Sequence, residues 1–371
     1  MPAGLYIHIP FCKSRCIYCE FYSQTEKLPE NYTDVLIREA ELCCEEWKGE
    51  VFDSLYFGGG TPSLLSAGEV MTVVKKMKTL FVFSPDAEIT LECNPDDISE
   101  SYAAGVGEAI NRVSIGIQSF DDEILRFLSR RHNGAAAERA VGHFLQAGIE
   151  NISIDLIYGI PGLTAAGWRE QLQKALTLHV KHISCYLLTS HENTILNGLY
   201  EGGALALPSE EECYRQYLDT REILTQGGIM PYEISNFAGR GYESRHNMKY
   251  WKGEPWLGLG PSAHSYFRHT RRANPCDTKM YLSDLRKFVA MRTEEISDGK
   301  KRYNEYVMNR LRMEAGLDTG ELLRDFPQYS EHFLQQVKQL NKDWYIIKDH
   351  RLALSAEGLF VSDYIIGRLF V

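Results

Sequence analysis

LYIHIPFCKSRCIYCEFYS, residues 5–23, decides how the rest of the chain is read. LYIHI (5–9) is β-rich, and a short loop carrying Cys12, Cys16 and Cys19 follows at once, with gaps of three and two residues. The carboxyl end of a first strand is where ligand sites gather in parallel α/β folds. Thiolates are soft donors that suit iron–sulfur clusters or zinc. A structural zinc site wants four closed ligands, and His8, on the strand four positions before Cys12, is an awkward fourth. Three thiolates on three corners of a 4Fe–4S cube leave one iron open to a further ligand. Chance clustering of free thiols is the bland alternative.

Outward from this stretch, strand-like runs recur at 54–58, 88–93, 112–117, 151–158 and 182–188, and helical patterns fall between them near 31–47, 66–80, 99–110, 121–130, 135–147 and 165–178. Strand–helix alternation implies right-handed parallel βα units. Six units do not complete an eight-fold barrel, so the expected fold is α/β, a partial (βα)6 barrel. Periodicity alone does not separate that from a doubly wound sheet. Residues 1–240 are assigned to this core. Residues 241–300 read as a linking segment, with the Gly-, Pro- and aromatic-rich 250–267 as an irregular loop. Residues 301–371 read as a small winged-helix-like α+β domain: helices at 304–314 and 329–340, a hairpin at 344–355 and a last helix.

The chain has 371 residues, 44% of them hydrophobic, enough for a large core and a second smaller one. Its net charge of −10 disfavours general nucleic-acid binding. No signal peptide and no membrane-length apolar run is recognised, so a reducing, cytoplasmic location is expected. There, nine cysteines do not imply a disulfide framework. Of the scattered others, Cys43, Cys44, Cys93, Cys185 and Cys213 lie in helical or strand patterns and are read as small core residues, and Cys276 is left unassigned.

The later strand ends carry isolated polar groups. YFGGGTPS ends the second strand with Gly58, Gly59, Gly60 and Thr61, where backbone can approach a ligand closely. No Lys-Ser/Thr follows, so this is not a phosphate-binding P-loop. Glu92, Gln118, Arg130 and Asp155 stand at or after further strands. Glu92 and Asp155 lie in apolar runs, where an unpaired charge is costly, so each needs a partner.

The cysteine spacing, Tyr18 and the glycine turn together resemble the radical S-adenosylmethionine (SAM) superfamily. In that family the open iron chelates the amino and carboxylate groups of SAM, and an electron from the cluster cleaves the sulfonium to a 5′-deoxyadenosyl radical. YIHIPFC, GGGTPS, ITLECNPD, GIQSFDD and IDLIYGIPG resemble one branch of it over nearly the whole chain. That branch holds oxygen-independent coproporphyrinogen III dehydrogenase (HemN-like) and the HemW-type haem chaperones. The resemblance implies SAM contacts at Tyr6, Gly59 and Glu92. It implies a second set, around a second SAM in the dehydrogenase, at Tyr18, Gly60, Thr61, Gln118, Arg130 and Asp155, with a backbone contact from Leu187.

Two departures favour the chaperone type. The dehydrogenase has an extra cysteine two places after the triplet, where this chain has Phe21, and an extension before its first strand, which Tyr6 here opens almost at once. RHNMKYW (245–251) also matches the HNxxYW string of HemW-type proteins. His246 has the chemistry of an axial haem ligand. Tyr250 and Trp251 offer an apolar wall, and Arg245, Arg271 and Arg272 offer charge for propionates. The bland reading is that His246 and Asn247 only tie a loop. His264, in GPSAHSY, is a further candidate. The expected cofactors are a 4Fe–4S cluster and SAM, with haem as cargo. The expected partner is a haemoprotein acceptor, through which any peripheral membrane contact would run. The electron donor is unassigned, and both monomer and homodimer fit. The alternatives are radical decarboxylation of coproporphyrinogen propionates and radical SAM chemistry on another substrate.

Overall fold

The computed structural model describes residues 1–371. Six strands form the centre: β1 (Ala3–Ile9), β2 (Val51–Gly59), β3 (Val82–Cys93), β4 (Arg112–Gln118), β5 (Ile152–Tyr158) and β6 (His182–Leu187). They are parallel and lie side by side in chain order. A doubly wound sheet would reverse that order partway. An unreversed order with right-handed crossovers puts every connecting helix on one face, as a partial barrel requires. The helices between them are Tyr32–Cys43, Ala67–Leu80, Glu100–Gly107, Asp122–Phe127 with Gly134–Gln146, and Ala165–Thr177. Ser66 and Glu69 close a capping box at the start of Ala67–Leu80, which satisfies donors the first turn would otherwise leave free.

Strand residues alternate between the two faces. Leu5, Ile7, Ile9, Leu55, Phe57, Leu91, Val113, Ile115, Ile154 and Leu156 are fully buried and belong to one core with helix residues such as Leu36, Val73 and Met77. The inner face is polar: Tyr6, Tyr56, Thr90, Glu92, Ser114, Asp155 and Ser184 stand there in register. The barrel interior is thus lined for a ligand.

The sheet is wider than the sequence reading. At one edge β8 (Asn236–Ala238) runs antiparallel beside β6, and β7 (Met230–Pro231) pairs antiparallel with β8 outside it. At the other, the stretch read as an irregular loop, 250–267, supplies β9 (Trp256–Leu259), parallel to β1, and β10 (His264–Phe267), and the rest of the linking segment supplies β11 (Thr270–Ala273) and β12 (Thr293–Ile296). Twelve strands result. The glycines that disguise β9 are there for close approach: a Cβ on Gly258 would lie 2.1 Å from the His264 carbonyl oxygen.

Residues beyond 298 form a helix Gly299–Leu311, then β13 (Leu317–Asp318), helices Thr319–Asp325 and Ser330–Gln339, the hairpin β14 (Tyr345–Lys348) and β15 (Arg351–Leu354), and helices Ala356–Phe360 and Ser362–Leu369. The sheet order is β13-β15-β14. Tyr303, Val307, Leu322, Phe333 and Ile365 fill its interior. Cys43, Cys93, Cys185 and Cys213 are buried as read, whereas Cys44 is half-buried; Cys276, unassigned from sequence, is exposed. No helix is long and apolar enough to cross a membrane.

Candidate cofactor site

The cysteine loop leaves β1 at Ile9 and is tied down at both ends. Phe11 is fully buried, edge-on to Tyr32. The Cys12 amide donates to the Gln24 carbonyl at 2.9 Å, and the Gln24 amide to the Pro10 carbonyl at 2.8 Å. Cys12, Cys16 and Cys19 are therefore half-buried and face one cavity of 670 Å³ at the carboxyl ends of the strands.

A chain of hydrogen bonds surrounds two of the thiols. Thr61 Oγ1 lies 3.4 Å from Cys12 Sγ and accepts from Asn94 Nδ2 at 3.1 Å. Asn94 Oδ1 accepts from Arg130 Nη2 at 2.7 Å, and Arg130 Nη1 donates to Cys16 Sγ at 3.3 Å. The same guanidinium donates to the Gly116 carbonyl at 2.6 Å. No three His, Cys, Asp or Glu side chains converge closely enough to hold a single metal ion. A cubane binds each cysteine through a different iron and asks for no such convergence.

Of the residues singled out from sequence, Cys12, Cys16, Cys19, Tyr18, Gly59, Gly60, Thr61, Glu92, Gln118, Arg130, Asp155 and Leu187 line this one cavity. Glu92 accepts from the Tyr56 hydroxyl at 2.8 Å and the Gly59 amide at 3.2 Å, and burial raises its pKa to about 7. Asp155 accepts from Ser114 Oγ at 3.4 Å, and burial raises its pKa too. The partners expected for both carboxylates are thus hydroxyls and an amide rather than close ion pairs. Gln118 sits at φ 69°, where a bulge in β4 re-aims it, and its Oε1 is buried without a partner. Arg130 Nε is likewise buried and unpaired. A Cβ on Gly60 would lie 2.7 Å from the Phe11 carbonyl and 3.0 Å from Cys12 Sγ, so the glycine turn packs against the cysteine loop. Buried polar atoms without partners around a roomy cavity call for a polar ligand. Three thiols at its mouth fit a cluster, and the carboxylates and orphaned donors and acceptors behind them fit SAM.

Tyr6 and His246 lie elsewhere. Tyr6 does not reach the cavity: its hydroxyl bonds His8 Nδ1 at 3.0 Å, and it lines a separate cleft with Tyr22, Tyr250, Trp256 and His264. His246 sits in the helix Arg245–Lys252, packed under the amino-terminal ends of β1 and β2. Its Nδ1 meets Ser54 Oγ at 3.0 Å, its Nε2 meets the Tyr250 hydroxyl at 2.9 Å, and its ring stacks on Tyr6 and Tyr56. Burial, with Lys249 and Arg112 nearby, pushes its pKa to about 3. The Arg245 and His246 amides point at the Glu88 carboxylate, at 3.2 and 3.3 Å. The HNxxYW helix therefore plugs the barrel floor, and neither nitrogen of His246 is open to iron in this conformation. The arginines read for propionates are already paired: Arg245 with Asp86, Arg271 with Glu305, Arg272 with Glu46 and Glu294.

Sequence reading missed Asn94, Ser114, Gly116 and Tyr186 in the cavity wall, and also Leu359, Phe360, Ser362 and Asp363 from the carboxyl-terminal unit. Asn94, two places after Glu92 in ITLECNPD, was visible in a quoted motif. The carboxyl-terminal residues carry no local signal.

Residues 6–175 match the family model described as the radical SAM superfamily. The chain is 35% identical over 296 residues to a "Heme chaperone HemW" of Synechocystis sp., covering 78% of this chain and 72% of the relative. It is 30% identical to a protein of the same description from Lactococcus lactis, covering 100% of this chain and 98% of the relative. Among solved structures, coproporphyrinogen III oxidase (HemN) from Escherichia coli, a radical SAM enzyme, superposes with a TM-score of 0.84 at 23% identity, covering 99% of this chain and 90% of that one. That likeness is one of fold.

Proposed function

The chain belongs to the radical SAM superfamily and, within it, to the HemW family, and from that membership we propose that it is a haem chaperone, one that binds haem and hands it to a haemoprotein. The observation that carries the proposal is the end-to-end match to a HemW relative, 100% of this chain on 98% of that one. When bound, the cluster and SAM supply one-electron chemistry. The chain's own part is to hold them: Cys12, Cys16 and Cys19 would take three irons, Arg130 and Thr61 would donate to their sulfurs, and Glu92, Gln118 and Asp155 would receive the polar groups of SAM. Phe21 supports the chaperone over the decarboxylase. It stands 68% exposed where the dehydrogenase pattern has a further cysteine.

Haemin titrated into anaerobically reconstituted protein tests this. A saturable Soret change, followed by transfer of haem to an apo-haemoprotein, is expected. Absence of saturation would sink the reading. Release of CO2 from coproporphyrinogen in the presence of SAM and a reductant would replace it with the decarboxylase.

A further inference from the structure

β4 ends on a residue in an unusual backbone state. Gln118 has φ 69°, a region that residues with a Cβ enter reluctantly and keep only where their surroundings fix it. Two side chains of the loop after the helix Asp122–Phe127 do the fixing. Arg130 Nη2 donates to the Gly116 carbonyl at 2.6 Å, and His132 Nε2 lies 2.9 Å from the Ile117 carbonyl. A carbonyl only accepts, so the His132 proton sits on Nε2. Its Nδ1 is buried and unpaired. Burial and the charge of Arg130 push its pKa down to about 4, so the ring is neutral at pH 7. The loop that carries it is itself anchored: Arg131 pairs with Asp96 at 2.5 Å, and the Gly134 amide donates to Asp122 at 2.9 Å. His132 does not line the cofactor cavity, but Gln118 does. Gln118 Nε2, Arg130 Nη2 and Asn94 Oδ1 close over the bare Gly116, where a Cβ would lie 3.0, 3.4 and 3.8 Å from them. Gln118 Oε1 is left buried with no partner.

We propose that His132 is a positioning residue for SAM: its hydrogen bond to the Ile117 carbonyl locks the β4 bulge so that Gln118 presents its free Oε1 to the cavity. The Ile117 carbonyl lies in the peptide plane that leads into Gln118. Holding that plane holds the rotation by which Gln118 leaves the direction of the strand. Arg130 fixes only the plane before it. On the far side the Phe120 amide donates to Gln171 Oε1 at 2.6 Å, so Gln118 is stretched between two anchors. A phenylalanine at 132 would fill the same space and leave the plane free to turn. The inference rests on SAM occupying this cavity and is independent of the haem reading.

The test is a double-mutant cycle of His132→Phe and Gln118→Ala in the full chain with its cluster rebuilt, read by equilibrium dialysis of SAM. Each single variant should weaken SAM about three- to tenfold, the scale of one hydrogen bond. The double variant should be no weaker than Gln118→Ala alone, because His132 then has nothing left to aim. His132→Gln, whose amide can donate to the same carbonyl, should recover most of the affinity. Losses that multiply in the double variant, with no recovery by glutamine, would show a residue that only supports the fold and would overturn the proposal. Full affinity in His132→Phe would overturn it too. If His132→Phe loses its iron, His132→Asn, whose amide stops short of the carbonyl, takes its place in the cycle. Failure of the wild type to bind SAM would remove the SAM reading of the cavity, and this role with it.

Discussion

Glu92 and His246 show burial acting in opposite directions on two kinds of titratable group. Glu92 has its pKa raised to about 7, so in the ligand-free protein it holds its proton above the pH at which an unfolded glutamate loses one. Stability therefore falls as pH climbs from about 4.5 to 7, and the full cost stands above that. Glu92→Gln should raise the melting temperature of ligand-free protein at pH 8, with the gap closing by pH 5. The same variant should weaken SAM in equilibrium dialysis. His246, lowered to about 3, has the reverse sign. Its neutral form belongs to the native state, so stability is complete above about pH 6.5 and is lost as pH falls toward 3. His246→Ala would leave a cavity and two unpaired hydroxyls, those of Ser54 and Tyr250, and should cost roughly 3 kcal/mol in denaturant unfolding of protein free of haem. A loss of that size with no haem present would mark the residue as a floor plug. An unchanged midpoint would contradict that role.

Among the elements, β2 does most to position the site. Its outer residue Phe57 is fully buried, and Phe57→Ala should cost about 3–5 kcal/mol by chemical denaturation. Its carboxyl end has a different task. Gly60 lets the turn pass close to Phe11 and Cys12, and any Cβ there must push the cysteine loop away. Gly60→Ala should therefore fold, with near-native circular dichroism, and yet retain much less iron per chain after reconstitution. Full iron content would mean that the loop moves at little cost. The strands were legible in the sequence because alternation along each one tells which side chains face the helices. The short β9 was not. Four residues between glycines carry no clear period, and only pairing with β1 gives them strand geometry.

At the scale of the whole molecule, the carboxyl-terminal unit closes the cavity. Phe360 packs between Tyr214 and Tyr217 at 5.0 and 5.5 Å, and Leu359, Ser362 and Asp363 complete the wall. The ion pair of Arg221 with Glu314, at 2.6 Å, supports the same contact. Phe360→Ala removes two aromatic pairs, each worth about 0.5–1.5 kcal/mol beyond area. Amide exchange in residues 301–371 should quicken while that in β1–β6 stays slow. Equal protection in both would show that the unit is held by other contacts.

By itself the amino-acid sequence determined the six βα units, the cysteine loop after the first strand and most of the polar residues that end the others. These are local facts, set by periodicity and by spacing within a few residues. Tertiary structure alone decided what those facts leave open. It made Tyr6 and His8 walls of a second cleft, turned the HNxxYW helix into a barrel floor, and brought residues 359–363 to the mouth of the first cavity. Which histidine keeps a free nitrogen depends on groups far away in the chain, Ser54 for His246 and none for His264, and no pattern within a short window of sequence encodes such a partner.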